Sequence, residues 1–136
     1  MIASNEDLEG HLTRLDRSFE RAEGGDVYLV SMGPGQPPCA LSISPPVLVA
    51  QVHVADAPAS DDATSARFMR RLLELNASGL LHSAFGIDGG HILLSAALEL
   101  QSLDINELEA VLADLDLALS EHVPSLVSLS KGLGRG

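Results

Sequence analysis

Apolar residues recur every three or four positions in three stretches of the chain, and this spacing predicts three helices. The first covers residues 8–22 and is expected to end at Gly24-Gly25. The second covers residues 67–76 and is apolar around more than half of its circumference, which is wider than one buried stripe requires. The third covers residues 104–123, with Asp104 as its N-cap. Because a helix that is apolar on two sides is often shared with a second subunit, the second helix predicts a homodimer.

Between these helices the apolar positions alternate with polar ones, which predicts β-strands. Alternating runs at 27–32, 39–44 and 47–54 precede the second helix. A further run at 82–100 alternates around Asp88-Gly89-Gly90, a sequence typical of a hairpin turn. The predicted order is therefore α-β-β-β-α-β-β-α, an α+β fold in which an antiparallel twisted sheet is flanked by helices. The face of the third strand that we expect to meet the core carries Leu48, Ala50, Val52 and Val54.

Composition and charge bound the domain and its partners. The chain has 136 residues, which suits a single domain; we place it at 1–130, followed by a flexible tail at 131–136. Acidic residues number 19 against 8 basic ones, giving a formal net charge of −11. Nucleic acids and anionic membrane surfaces would be repelled by this charge. Hydrophobic residues make up 46% of the chain and charged ones 20%, which indicates that some apolar surface is kept for a protein partner.

The compartment is suggested by what the chain lacks. Cys39 is the single cysteine, so no internal disulfide forms, and this fits a reducing cytoplasm. No stretch approaches the eighteen or so consecutive apolar residues of a membrane span. The amino terminus lacks the basic region and apolar run of a secretory signal. We therefore expect a cytoplasmic protein.

Residues that could carry chemistry do not form a motif. His82 and His91 flank the same hairpin and could face one another, but no cysteine or carboxylate cluster nearby in sequence would complete a metal site. Polar positions on a solvated sheet face are the favoured interpretation of these histidines. Cys39 has no adjacent helix amino terminus that would lower the pKa of its thiol. We expect it to be a small, half-buried apolar residue. No catalytic residue, metal or cofactor is predicted, and a small enzyme using His53, Cys39 or His82 is the least favoured alternative.

Three pieces of the carboxyl-terminal half are specific: Leu75-Asn76, the run AFGIDGG at Ala84–Gly90, and the start of the last helix at Leu103–Leu108. With these pieces, the sequence from Leu72 to Leu119 resembles the Tir-chaperone family of type III secretion chaperones. None of these is a catalytic motif. YbjN-like domains share a similar layout of helix, hairpin and helix, so a regulatory dimer that binds a folded protein is an alternative.

The family resemblance implies a function and two surfaces. Such chaperones are homodimers that bind an extended, non-globular segment of a secreted effector and keep it competent for secretion, without nucleotide or metal. By position in the resembled fold, the dimer seam would contain Phe68, Leu72 and Leu75. The effector-binding patch would contain Leu8, Leu15, Phe19, Val27 and Leu29.

Overall fold

The computed structural model of the chain describes residues 4–22, 26–57, 63–80, 82–124 and 126. The predicted tail lies outside these residues, and the limits of the domain stay a prediction. The elements in chain order are α1 (Asn5–Arg14), β1 (Phe19–Arg21), β2 (Val27–Val30), β3 (Cys39–Ser44), β4 (Val47–Asp56), α2 (Ala63–Ser78), β5 (Ala84–Asp88), β6 (His91–Glu99), a 3₁₀ turn (Leu100–Ser102) and α3 (Ile105–Glu121).

The strands form one antiparallel sheet in the order β1-β2-β3-β4-β6-β5. Apolar residues of the three helices join alternate strand residues in one buried cluster, so the helices cover one face of the sheet. On that face β4 buries Leu48, Ala50 and Val52, as its alternation predicts, while Gln51 and His53 are exposed on the other. The predicted α+β class is confirmed, with one strand more than the predicted order because Phe19–Arg21 forms β1.

The first helix is shorter than its apolar spacing predicts, and the prediction that it reaches residue 22 is wrong. α1 ends at Arg14 because Asp16 adopts the left-handed conformation, with φ of 59°. The N–H of Arg17 then donates to the carbonyl of Leu12, and the N–H of Asp16 donates to that of Thr13, each at 3.0 Å. These are the two hydrogen bonds of a Schellman cap. Aspartate is one of the few residues besides glycine that adopts this conformation readily.

The predicted hairpin forms between β5 and β6, and its turn has two residues. Asp88 lies opposite His91, so Gly89 and Gly90 form the loop. Their φ values are 57° and 82°, as a type I′ turn requires at both central positions. This turn fixes the register that places Phe85 opposite Leu94 on the buried face.

The last helix begins where its capping residue predicts. The Asp104 carboxylate accepts from the backbone N–H groups of Asn106 (3.0 Å) and Glu107 (3.2 Å), so it caps α3. The helix buries one apolar stripe against the sheet, formed by Leu108, Val111, Leu112, Leu115, Ala118 and Leu119.

The carboxyl end of α2 is fitted closely to its neighbours at Gly79. A Cβ there would lie 3.1 Å from Leu75 Cδ2, 3.2 Å from the Leu75 carbonyl oxygen and 3.3 Å from His122 Nε2. The carbonyl of Gly79 is also 3.2 Å from His122 Nε2. A side chain at this position would therefore crowd both Leu75 of α2 and the end of α3.

Asn76 of α2 joins the helix to edge strand β5. Its Nδ2 donates to the carbonyl of Phe85 at 3.0 Å, and its Oδ1 accepts from the Phe85 N–H at 2.7 Å. The amide thus occupies both backbone groups that Phe85 directs away from β6, as a neighbouring strand would. The sheet edge is covered at this residue, which limits pairing with another strand there.

Replacing Asn76 with alanine is expected to lower the free energy of unfolding by about 1–3 kcal/mol, because two backbone groups of Phe85 lose their partner. Urea denaturation followed by circular dichroism measures the loss. The control is Asn106→Ala at an exposed position of α3, expected to change stability by less than about 0.5 kcal/mol. Equal effects of the two substitutions would show that the Asn76 amide does not hold the edge.

Candidate protein-binding surfaces

An apolar cleft lies between α2 and the edge of β5, and we call it the α2–β5 groove. Its volume is about 320 Å³. Leu73 on α2 is 69% exposed and Ile87 on β5 is 54% exposed, which is unusual for large apolar side chains. The residues that line the groove are Met69, Leu72, Leu73, Asn76, Phe85, Gly86 and Ile87. Beyond Phe85, this edge presents an apolar surface of the kind that protein interfaces use.

The residues predicted for the dimer seam lie beside this groove, mostly beneath its surface. Phe68 and Leu75 are buried in the core of the chain itself. Leu72 is also almost fully buried, but its side chain lines the groove. The residue of α2 that points outward is therefore Leu73, whereas the sequence prediction named Leu72. The seam needs a second copy of the chain and stays a prediction.

The residues predicted for effector binding gather around β1, the edge strand at the other end of the sheet. Leu8 is fully buried in α1, while Leu15 and Phe19 are partly buried on the helix-covered face. Val27 and Leu29 lie on the open face, where Leu29 is 36% exposed. These residues therefore flank the β1 edge from both faces and do not form one continuous patch.

The backbone N–H and C=O of Phe19 in β1 point outward from the sheet edge. Ser31 N–H donates to the Ser18 carbonyl at 2.9 Å, and Ala22 N–H donates to the Val27 carbonyl at 2.7 Å. Because backbone groups alternate along an antiparallel strand, the N–H and C=O of Phe19 point away from β2. The Phe19 ring packs edge-on against Tyr28, with ring centroids 5.8 Å apart. An incoming strand would therefore meet an ordered edge.

Two carboxylates of α3 hold connecting segments against the helix. Asp116 is paired with Arg17 at 2.7 Å and accepts from the N–H of Gly33 at 3.2 Å. Buried Asp114 accepts from the N–H of His82 at 3.0 Å and the hydroxyl of Ser83 at 2.8 Å. An open cleft of about 490 Å³ lies beside the Asp116 contacts and includes the exposed Leu117.

The structure brings together histidines that are far apart in sequence, but not the expected pair. His82 precedes β5 and is not opposite His91, so the suggestion that these two face one another is wrong. His91 instead lies beside His53, with Nδ1 3.0 Å from Nε2 and the ring centroids 4.8 Å apart. Asp56 Oδ1 is 3.1 Å from the same His91 nitrogen. Sequence reasoning missed this cluster because His91 is on β6, and the β4–β6 pairing was not predicted.

Cys39 is fully buried on the core face of β3. The register places Ala40 opposite Gln51, so Cys39 and the exposed His53 lie on opposite faces of the sheet. Cys39 and His53 therefore cannot act together as a nucleophile and its base. Burial raises the pKa of the Cys39 thiol to about 12. A group with that pKa is almost entirely protonated at neutral pH and is a poor nucleophile.

Comparison with known proteins connects this fold to secretion chaperones. Residues 1–132 match the model of the CesT_Tir_1 family. A chain in the heterodimeric ExoU–SpcU complex from the type III secretion system of Pseudomonas aeruginosa is 17% identical, with a TM-score of 0.64 over 86% of this chain and 95% of that one. The Yersinia pestis type III secretion chaperone SycH, solved with a fragment of YscM2, is 22% identical, with a TM-score of 0.57 over 91% and 97% of the two chains.

The same architecture occurs in YbjN, described as a putative transcription regulator from E. coli. Its identity to this chain is 10%, with a TM-score of 0.61 over 96% of this chain and 90% of that one. A comparison with curated protein sequences gave no match. Similarity at these identities shows the fold alone.

The family match covers nearly the whole chain and settles the class. The protein belongs to the CesT_Tir_1 family of type III secretion chaperones, as the resemblance of its carboxyl-terminal half predicts. In the part of the chain that the structure describes, no helix is both long and apolar enough to cross a membrane.

The burial of Cys39 leads to a reactivity prediction. In the folded protein at about pH 8, a disulfide reagent such as DTNB is expected to modify Cys39 slowly, because the thiolate is scarce and the sulfur is covered. After unfolding in urea the same thiol should react at the rate of a free cysteine. Rapid modification of the folded chain would contradict the buried position.

Proposed function

We propose that this protein binds an extended, non-globular segment of a secreted effector and keeps it competent for type III secretion. The observation that carries the proposal is the family match over residues 1–132. Its structural relatives include a chain of the ExoU–SpcU complex and SycH bound to a YscM2 fragment. Forming such complexes is a property of those proteins, and the family relationship extends it to this chain as a proposal.

The geometry of β1 supports an edge-pairing mode of client binding. A client strand added beside Phe19 would gain backbone hydrogen bonds from the outward-facing groups of that residue. On the helix-covered face its side chains would approach Leu15, and on the open face they would approach Leu29 of β2 across Glu20 of β1. This arrangement explains how residues on two faces of the sheet would act on one client. Leu8 would support the surface from the core and would not touch the client.

The α2–β5 groove supports a homodimer. A two-fold interface would place Leu73 and Ile87 of each copy against the apolar groove of the other. A stable interface of standard size removes roughly 800 Å² per subunit from water, and these exposed apolar side chains would form its centre. In this arrangement Leu72 is the member of the predicted seam that lines the interface, while Phe68 and Leu75 hold α2 in position.

A regulator that binds a folded protein is the competing function, since YbjN has the same fold. The family match favours the chaperone, and the two functions differ in the form of client that binds. We further propose that the protein acts in the cytoplasm and has no catalytic role. The protonated thiol of Cys39 and its separation from His53 support the latter.

Leu73→Asp is expected to convert the dimer into a monomer, because association would bury an unpaired carboxylate. Light scattering at micromolar concentration measures the mass, for which one chain is 14.2 kDa. The control is Leu117→Asp on α3, an exposed leucine outside the α2–β5 groove, which should remain dimeric. Substituting Leu72 or Leu75 would be less informative, because both are core residues whose loss would unfold the chain. If the wild type is a monomer, the homodimer proposal is wrong. If Leu73→Asp remains a dimer of unchanged stability, the interface lies elsewhere.

Leu29→Glu and Phe19→Glu are expected to weaken client binding by at least about tenfold, because each puts a charge where apolar client side chains would be buried. The probe is the effector segment that co-purifies with the chaperone from its native cell, titrated by calorimetry as a peptide without stable structure. Binding should also show a negative heat-capacity change from apolar burial.

The matched control for client binding is Leu117→Glu, which should bind within about twofold of wild type, and all three variants should keep the wild-type mass. A loss confined to Leu117→Glu would move the client to the cleft beside α3. If only a folded partner binds, and no extended segment does, the regulatory alternative is correct.

A further inference from the structure

We propose that His53, Asp56 and His91 form a binding site for a divalent transition-metal cation such as Zn²⁺. The site lies on the open face of the sheet, at the end where the β5–β6 hairpin turns. It is separate from the α2–β5 groove and from the β1 edge. Two imidazoles and a carboxylate are a donor set that zinc and its neighbours in the first transition row bind readily.

An irregularity in β4 is what places the three donors together. His53 and Asp56 are three residues apart and would point to opposite faces of a regular strand. The register between β4 and β6 shifts between His53 and Ala55, so that one extra residue enters β4. The shift brings Asp56 opposite His91 and returns its side chain to the face that His53 occupies. Such bulges often re-aim side chains at functional sites.

The separations of the donor atoms suit a common metal ion. His53 Nε2 is 3.0 Å from His91 Nδ1, and Asp56 Oδ1 is 3.1 Å from His91 Nδ1 and 3.8 Å from His53 Nε2. A tetrahedral ion with ligand bonds of about 2.0–2.1 Å holds its donors about 3.3 Å apart. To reach that geometry, the two distances from His91 Nδ1 would lengthen by a few tenths of an ångström. The distance between Asp56 Oδ1 and His53 Nε2 would shorten by about half an ångström.

The surroundings permit those shifts and leave room for a further ligand. All three side chains are more than half exposed, so small rotations cost little packing. A water molecule would take the remaining position, as in three-ligand zinc sites. Imidazole nitrogens are poor ligands for Mg²⁺ and Ca²⁺, which prefer oxygen, so the site should discriminate against both.

The close approach of these side chains also has an explanation that needs no metal, namely hydrogen bonds between them. The N–H of one imidazole can donate to the other ring, or Nδ1–H of His91 can donate to the Asp56 carboxylate. That arrangement would be a surface hydrogen-bond network with no ligand. Direct titration with metal separates the two explanations.

The experiment uses the full chain without an affinity tag, since a histidine tag would itself bind metal. After treatment with EDTA and dialysis, the protein is titrated with ZnCl₂ by calorimetry and with CoCl₂ by visible absorption. We expect saturable binding of about one ion per chain, the visible bands of low-coordinate Co²⁺, and no competition from excess MgCl₂.

The variants His53→Ala, His91→Ala and Asp56→Asn should each weaken Zn²⁺ binding by at least about tenfold, since each removes one of three ligands. The matched control is His82→Ala, an exposed histidine outside the cluster, which should bind as wild type does. Far-ultraviolet circular dichroism confirms that all four variants are folded. Absence of saturable binding in the wild type would overturn the proposal. Binding that survives in the cluster variants, or that is lost equally in His82→Ala, would also overturn it.

Discussion

The packing of α3 on one face of the sheet is the contact on which the rest of the fold depends. Its apolar stripe supplies much of the buried core, and its polar residues fix three connecting segments. Asp116 holds Arg17 and Gly33, Asp114 holds the start of the β5 hairpin, and the end of the helix meets Gly79. α3 therefore contacts the segments that follow both other helices. These segments lead into the two edge strands, β1 and β5.

Covering one face of an antiparallel sheet leaves two kinds of surface for binding. The edge at β5 is partly closed by the Asn76 amide and continues into an apolar groove, which suits a second copy of the chain. The edge at β1 is short and flanked by apolar side chains from both faces, which suits an extended segment. The two edges lie at opposite ends of the sheet order, so a dimer and a client would not compete for the same strand.

Local patterns predicted most of the fold. Alternation identified the buried face of β4, the two glycines identified the hairpin turn, and Asp104 identified the start of α3. The end of α1 was missed because Asp16 adopts a left-handed conformation that apolar spacing does not encode. Once the helix stops there, Phe19, which suggested a longer helix, becomes the first residue of β1. The candidate surfaces were less predictable because they depend on pairings between distant segments. Only the packed structure distinguishes Leu73 from its buried neighbours, and His53 meets His91 only through the pairing of β4 with β6.

Amide hydrogen exchange shows whether an extended client segment pairs with the β1 edge, which is the interaction on which the proposed chaperone function rests. Exchange should be compared between the free chaperone and its complex with the co-purified effector segment. We predict that exchange slows at the Phe19 amide, and that client amides in the bound segment become protected at alternate positions, as in a single added strand. Unchanged exchange at β1, or a client that shows the protection of a folded domain both free and bound, would contradict this mode of binding.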